Sequence, residues 1–188
     1  MMSFTRASIR GVGSPARSCV LVAFVVLRSL VQPALAGELG DGSHVRTSDA
    51  RIRAAIADGI ERSALFRDLV AQIDASDVIV YADGDCTMSE RLQGRLTFMS
   101  KAGGRRYVMV RIACSLTGPV QIAMLGHEFW HALEIAKAES VVDDDSLAEE
   151  YRRIGFASRS LQRGTGFDSK AAIDTGYRVW YELSHRGE

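Results

Sequence analysis

The stretch Pro119-Val-Gln-Ile-Ala-Met-Leu-Gly-His-Glu-Phe-Trp-His-Ala-Leu-Glu-Ile-Ala136 is apolar at most of its positions. It follows Gly118, and a proline is well tolerated in the first helical turn, where its missing N–H is not needed. Apolar residues around most of a helix circumference predict a buried helix. At about 100° per residue, His127, His131 and Glu134 fall on one side. We therefore expect a buried helix whose polar side must find partners.

The polar side of this helix contains the motif H-E-x-x-H at positions 127–131. His127 and His131 are four residues apart, so both imidazoles lie on one helix face, about 6 Å apart along the axis. Two neutral imidazoles at this spacing can bind one zinc ion from the same side. Glu128 lies about 100° round the helix, where it is better placed to take a proton from a metal-bound water than to bind the metal. A metal-free hydrogen-bond network is the alternative.

This motif in its apolar segment resembles the active-site helix of the zincin metallopeptidases. The longer form His-Glu-Phe-Trp-His-Ala-Leu-Glu at 127–134 is also similar to that of small secreted bacterial proteins. The resemblance implies that His127 and His131 are zinc ligands and that Glu128 is the general base. It also implies hydrolysis by a metal-activated water, with a peptide or protein as the expected substrate.

The third protein ligand that a catalytic zinc requires is not obvious in the sequence. The metzincin continuation needs a glycine three residues after the second histidine and a third histidine three residues further on. Glu134 and Lys137 occupy those two positions, which excludes that subclass. His44 lies near the expected N-terminus of the mature chain and His185 near its C-terminus, so both are poor candidates. We therefore expect a carboxylate, as in the gluzincins, which take a glutamate from a later helix.

Glu150 is the preferred third ligand. The segment 146–155 predicts a short helix with Ser146 as its N-cap and Glu149 in the capping-box position. Glu150 flanks the apolar face of that helix, and its spacing after the second histidine resembles the gluzincin pattern. The alternative, which is equally open, is that Glu150 only forms exposed ion pairs with Arg153 or Arg152.

Two further carboxylates stay open as ligands. Glu134 lies about 10 Å along the helix axis from His127, so it suits a different role, that of orienting His131 through its free ring nitrogen. Asp168 precedes the last predicted helix, and N-capping of that helix is the favoured interpretation of this residue.

The first 36 residues have the layout of a secretory signal peptide. Three arginines and no acid precede an apolar run, 19–27, and a small-x-small cleavage site at 34–36. Residues 37–188 are then the mature chain, whose size is typical of one domain, exported to the periplasm or the exterior. No run reaches the ~20 apolar residues that a membrane-spanning helix requires, so we expect no stable membrane span.

The charge balance excludes a nucleic-acid partner. The chain has 23 Lys and Arg against 23 Asp and Glu. The predicted signal peptide contains arginines and no acidic residue, so its removal would leave a mature chain with a small net negative charge. Nucleic-acid binding requires a basic surface instead.

Of the three cysteines, Cys86 and Cys114 remain after cleavage, and in an oxidising compartment we expect them to pair. The alternative is that one of them is a zinc ligand.

The remaining patterns predict an α+β fold with helices around a small antiparallel sheet and the buried H-E-x-x-H helix. The expected elements are helices 49–59 and 63–73, strands 77–82, 95–99 and 106–113, and a final helix 169–183. Ala102-Gly103-Gly104 predicts a hairpin turn between the last two strands. The zincin resemblance adds that one hairpin strand lies over the metal and binds the substrate as an added strand.

We therefore expect an exported zinc-dependent hydrolase, most simply a peptidase. The alternative is a non-catalytic exported domain that binds metal or a partner. Tyr151, Tyr177, Tyr181 and His185 are the candidates for an oxyanion donor. The sequence carries no indication of an oligomeric state.

Overall fold

The computed structural model of the chain describes residues 42–88, 92–158 and 166–185. All of them belong to one unit, Pro33–Glu188. The expected signal peptide, residues 1–36, lies outside the described residues and stays a prediction.

The described residues form an α+β fold, as the order of the predicted elements indicates. The elements in chain order are β1 (Val45–Arg46), α1 (Ala50–Arg62), α2 (Ala64–Asp74), β2 (Val78–Asp85), β3 (Gly94–Ala102), β4 (Arg105–Ala113), α3 (Gly118–Lys137), α4 (Asp144–Ile154), β5 (Phe156–Ser158), β6 (Gly166–Asp168) and α5 (Lys170–Ser184). Within these ranges, no helix is both long enough and apolar enough to cross a bilayer.

The larger sheet is mixed, which corrects the prediction of an antiparallel sheet. Its strand order is β1-β2-β4-β3. β2 runs parallel to both β1 and β4, and only β3 is antiparallel to β4. The predicted hairpin is present, with positive φ angles of 57° at Gly103 and 76° at Gly104, as tight hairpin turns require. The prediction failed because β2 is followed in sequence by the edge strand β3, while its partner in the sheet is β4.

The predicted buried helix is present as α3, and it lies at the centre of the fold. It packs against α1, α2, α5 and strands β2, β3 and β4. Close approach to α5 depends on small residues, because a Cβ at Gly176 would lie 3.2 Å from the Cβ of His127. The fully buried side chains include Ile122, Leu125, Phe129 and Ile135 of α3, Ile52 and Ile56 of α1, Phe66, Leu69 and Ile73 of α2, and Ile112 of β4.

Arg106 of β4 holds the C-terminal end of α3. Its side chain is buried and donates hydrogen bonds to the carbonyl oxygens of Ile135 (2.6 Å), Ala136 (3.0 Å) and Ala138 (2.6 Å). The last carbonyls of a helix have no partner within the helix, and a cation is favourable there. Two further bonds, of 2.8 and 2.6 Å, join the guanidinium to Asp77. The hydrogen bond from Arg106 holds the pKa of Asp77 below its usual value.

Cys86 and Cys114 form a disulfide, as predicted. The parallel register of β2 and β4 pairs Asp85 with Ala113, so the residues that follow these two are neighbours. Because both sulfurs are bonded to each other, neither is a thiolate ligand for a metal.

Candidate metal centre

Three potential ligand atoms converge between α3 and the start of α5. His127 Nε2 and His131 Nε2 are 3.2 Å apart, and Asp168 Oδ1 lies 3.4 Å from each of them. A tetrahedral zinc ion with bonds of about 2.0–2.1 Å separates its ligand atoms by about 3.3–3.4 Å. The three atoms therefore stand at the spacing of three corners of a tetrahedral zinc site. Within the described ranges, no other group of three His, Cys, Asp or Glu residues comes as close together.

Asp168 is the last residue of β6, and the end of this strand brings its carboxylate to the two histidines. Gly155 allows this arrangement, since a Cβ at that position would collide with the carbonyl oxygen of Asp168. The backbone N–H of Ser169 donates a 2.7 Å hydrogen bond to Asp168 Oδ1. N-capping, the role favoured for Asp168, is instead performed by Ser169, whose hydroxyl accepts from the N–H of Ala172 at 3.0 Å. The Asp168 carboxylate is consequently free to face the histidines.

Glu150, the preferred third ligand, is not part of this centre. Its carboxylate is paired with Arg153, which is the alternative left open by the sequence. The helix boundary also differs from the prediction. Asp143 is the N-cap of α4, and Ser146 is its reciprocal partner three residues into the helix. Glu149 is therefore not needed for capping, and capping was a reason for preferring Glu150 to it as a ligand.

Glu134 holds His131 in position, which is the contact predicted for it. Glu134 Oε2 accepts hydrogen bonds from His131 Nδ1 at 2.8 Å and from the Tyr151 hydroxyl at 2.9 Å. Glu134 Oε1 accepts from Trp130 Nε1 at 3.0 Å and from the Ser169 hydroxyl at 2.6 Å. In the neutral form that binds a metal, a proton held on Nδ1 leaves the lone pair of His131 Nε2 directed towards the other two ligand atoms.

Glu128 is a buried carboxylate without a hydrogen-bond partner among the described residues. It is 3% exposed, and a Cβ at Gly94 of β3 would lie 2.5 Å from its Oε1. Burial raises the pKa of Glu128 to about 7. The carboxylate lines the same cavity as His127, His131 and Asp168. It is therefore available to exchange a proton with a molecule bound there.

The two imidazoles differ in charge when no metal is bound. Burial lowers the pKa of His127 to about 4, and the neighbouring His131 adds to this effect. Burial also acts to lower the pKa of His131, but hydrogen bonds to Asp168 and Glu134 outweigh it and raise that pKa to about 9. At neutral pH an imidazolium thus stands between two carboxylates. A divalent cation would take the place of its proton.

A cavity of about 290 Å³ opens beside the three ligand atoms. Its other walls come from β3, from α4 and from Phe167. β3 is the edge strand of the sheet, and the carbonyl of Gln93 accepts from the N–H of Ala113 on β4. Hydrogen-bonded and non-hydrogen-bonded residue pairs alternate along antiparallel strands. Gly94 and Leu96 are in non-hydrogen-bonded pairs with β4, so their N–H and C=O groups point towards the free edge of the sheet.

Of the four candidate oxyanion donors, only Tyr151 lines the cavity, and its hydroxyl is already hydrogen-bonded. The hydroxyl of Tyr151 is engaged by Glu134 and lies 2.8 Å from His131 Nδ1, the ring nitrogen turned away from the ligand cluster. Tyr177 and Tyr181 lie on the exposed side of α5 and His185 is its C-cap, and none of the three lines the cavity.

Sequence reasoning ranked Asp168 too low, considered Tyr151 only as an oxyanion donor, and missed Ser169 and Gly94 as parts of the site. The sequence did contain a signal for Asp168. Asp168 and Ser169 are adjacent residues of the capping type, and only one of them can be the N-cap of α5. Nothing in the sequence indicates that Gly94 lies against Glu128.

No protein-family model matches the chain, and neither a curated protein nor a solved structure matches it. Any assignment of function therefore depends on the motif and on the geometry of the site.

Proposed function

We propose that the protein is a zinc-dependent hydrolase that cleaves peptide bonds, with His127, His131 and Asp168 as metal ligands and Glu128 as general base. One observation carries this proposal. Three ligand atoms stand 3.2–3.4 Å apart beside an unpaired, buried carboxylate in the same cavity.

The spacing of the ligand atoms favours zinc over an octahedral metal. Two histidines and one carboxylate also form the facial triad of non-haem iron sites. Octahedral angles of 90° with bonds of about 2.1 Å place neighbouring ligands about 3.0 Å apart. The separations of 3.2, 3.4 and 3.4 Å are closer to the tetrahedral value. Two imidazoles, one carboxylate and one open side form a typical catalytic zinc site.

The chain supplies the proton transfer that hydrolysis needs. Zinc, when bound, would polarise the scissile carbonyl and acidify a water molecule. Glu128 would accept the proton of the attacking water and pass it to the leaving amine. Glu134 would keep His131 in the tautomer that binds metal, through the 2.8 Å bond to Nδ1.

A peptide substrate is favoured by the strand beside the cavity. An extended peptide can add to a free sheet edge through backbone hydrogen bonds. Gly94 and Leu96 offer such groups next to Glu128, and the zincin resemblance implies the same mode of binding. Leu96, Leu147 and Phe167 line the cavity, so we expect an apolar substrate side chain to occupy it. The disulfide agrees with export, which we retain as part of the proposal.

Two measurements on the purified protein test the proposal. Elemental analysis after metal loading should give one zinc per chain for the wild type and for Glu128→Gln. Cleavage of a broad peptide library should be seen with the wild type and lost in Glu128→Gln. Glu149→Gln, a change on the exposed side of α4, should retain both properties.

The outcomes separate the rival hypotheses. A wild type that binds zinc and cleaves no peptide would support the non-catalytic metal-binding domain. A chain that takes up no zinc after loading would overturn both the hydrolase and the metal site.

A further inference from the structure

The exposed side of α5 carries a group of large apolar side chains, and nothing in the proposed metal site accounts for them. Seven large apolar side chains are exposed in the described parts of the chain, and three of them are on this one helix. These are Ile173, Tyr177 and Tyr181, which are 44%, 63% and 51% exposed. Single apolar residues on a surface need no explanation, but a contiguous group indicates an interaction surface.

The three residues form one continuous surface on the side of α5 that faces away from the core. At about 100° per residue, Tyr177 and Tyr181 lie opposite the buried Ala172, Val179 and Leu183. The rings are already packed together: Tyr177 contacts Trp180 at 5.8 Å between centroids, and Tyr181 stacks on His185 at 4.2 Å. A surface that is ordered before binding loses little side-chain entropy when a partner covers it.

The two flanks of this surface differ in character. Ile173 and Trp180 lie on one flank, which is apolar. Asp174 and Arg178 lie on the other flank, and both are exposed. Asp174 pairs with Lys170 within the helix, and no ion pair of Arg178 occurs among the described residues. A partner for this helix should therefore bring apolar groups to one flank and an alternating charge pattern to the other.

A second copy of α5 has this pattern when it runs antiparallel. A two-fold axis that crosses the exposed side of α5 at the level of Gly176 and Tyr177 places each flank against the same flank of the other helix. Asp174 then lies opposite Arg178 of the partner subunit, and the contact occurs twice by symmetry. On the other flank Ile173 meets Trp180 of the partner subunit, while the two copies of Tyr177 meet at the axis. The surface is thus complementary to itself in both apolar character and charge.

We propose that the protein forms a two-fold symmetric dimer through antiparallel pairing of α5. This contact leaves the cavity beside the metal centre open, because none of Ile173, Tyr177 and Tyr181 lines it. The opposite side of α5 carries Gly176, against which His127 packs. Dimerisation would accordingly brace the helix that supports one proposed ligand, although the proposal stands without the metal.

Sedimentation equilibrium of the purified full chain tests the dimer. We expect the wild type to sediment at twice the mass of the chain and Tyr181→Glu to weaken dimerisation by roughly tenfold or more. Met99→Glu is the matched control, because Met99 is also 51% exposed but lies on β3. It should dimerise like the wild type. A wild type that is monomeric at every concentration, or a Tyr181→Glu variant as dimeric as the control, would overturn the proposal.

Charge reversal tests the antiparallel register. Asp174→Arg and Arg178→Asp each place like charges opposite one another, so each alone should weaken the dimer. The double variant Asp174→Arg/Arg178→Asp restores both pairs with their signs exchanged, and should recover the dimer. Thermal melting confirms that all variants are folded. Failure of the double variant to recover, with folding intact, would rule out this arrangement.

Discussion

The Ser169 hydroxyl donates a 2.6 Å hydrogen bond to Glu134 Oε1, across 35 residues of sequence. The same hydroxyl caps α5 by accepting from the N–H of Ala172. The other oxygen of Glu134 accepts from His131 Nδ1. One carboxylate thus joins the start of α5 to the second histidine of the motif. Because Asp168 directly precedes Ser169, this connection also sets the position of the third proposed ligand.

Replacing Glu134 by glutamine should weaken zinc binding by about 10- to 100-fold. All four hydrogen-bond partners of Glu134 are donors, and an amide has one acceptor oxygen in place of two. His131 would then lose the acceptor that fixes its tautomer. Competition with a chelator of known affinity measures the change. Glu149→Gln serves as the control, and an unchanged affinity in Glu134→Gln would contradict the orienting role.

Asp168→Ala and Glu150→Ala distinguish the two candidate third ligands. Asp168→Ala removes an oxygen that lies 3.4 Å from both imidazole nitrogens, so zinc affinity should fall by more than about 100-fold. Glu150→Ala removes only the ion pair with Arg153, and zinc affinity should stay within about twofold of the wild type. The reverse order of effects would restore the ligand assignment that the sequence favoured.

α3 was predictable because its information is local: a proline at the start, apolar residues all round, and two histidines one turn apart. The third ligand was not predictable in the same way. Glu150 and Asp168 are both acids near predicted helix starts, and the choice between them depends on which neighbour becomes the N-cap. Asp143 rather than Ser146 begins α4, and Ser169 rather than Asp168 caps α5. The first choice is a local capping box between Asp143 and Ser146, whereas Ser169 is also held by a tertiary contact, its bond to Glu134.

The sheet order escaped prediction for a similar reason. Two glycines predicted the hairpin of β3 and β4, since turn chemistry is local. The parallel pairing of β2 with β4 joins residues that are distant in sequence, as between Val80 and Val108. Alternation within each strand does not specify such a partner.

Gly94→Ala should lower peptidase activity while leaving zinc content unchanged. The added Cβ would lie 2.5 Å from Glu128 Oε1, so the carboxylate must move away from its position beside the ligand cluster. A displaced general base costs about 100-fold in rate when it is misplaced by 1 Å. Gly42→Ala is the control, because no atom lies within 4 Å of its added Cβ. Steady-state cleavage together with zinc analysis gives both readouts, and loss of zinc in Gly94→Ala would contradict this explanation.

Arg106→Met should destabilise the fold by about 2–4 kcal/mol, measured by denaturant unfolding. The substitution keeps most of the apolar stem but leaves the carbonyls of Ile135, Ala136 and Ala138 without their donor. It should also loosen the C-terminal end of α3, beyond His131. A variant as stable as the wild type would show that water replaces the guanidinium at no net cost.

The pH dependence of stability isolates the Asp77 part of this contact. The pKa of Asp77 is lowered in the folded protein, chiefly by the hydrogen bond from Arg106. A depressed folded pKa adds stability that is fully present above the ordinary value of 3.8 and is lost as pH falls through the folded value. The free energy of unfolding of the wild type should therefore exceed that of Asp77→Asn at neutral pH. The difference should shrink below about pH 4, and a constant difference would contradict the linkage.

Zinc binding should release one proton near neutral pH. In the metal-free site His131 is an imidazolium, with protons on both ring nitrogens, because its pKa is raised to about 9. His127, with a pKa of about 4, is already neutral. A metal binds only the neutral imidazole, so affinity should rise about tenfold for each pH unit between about pH 6 and 8. The measurement is best made on Glu128→Gln, since the pKa of Glu128 lies in the same range. Calorimetry in two buffers of different ionisation enthalpy counts the protons directly. Release of no proton would mean that His131 is neutral before the metal arrives, and that its bonds to Asp168 and Glu134 do not hold an imidazolium.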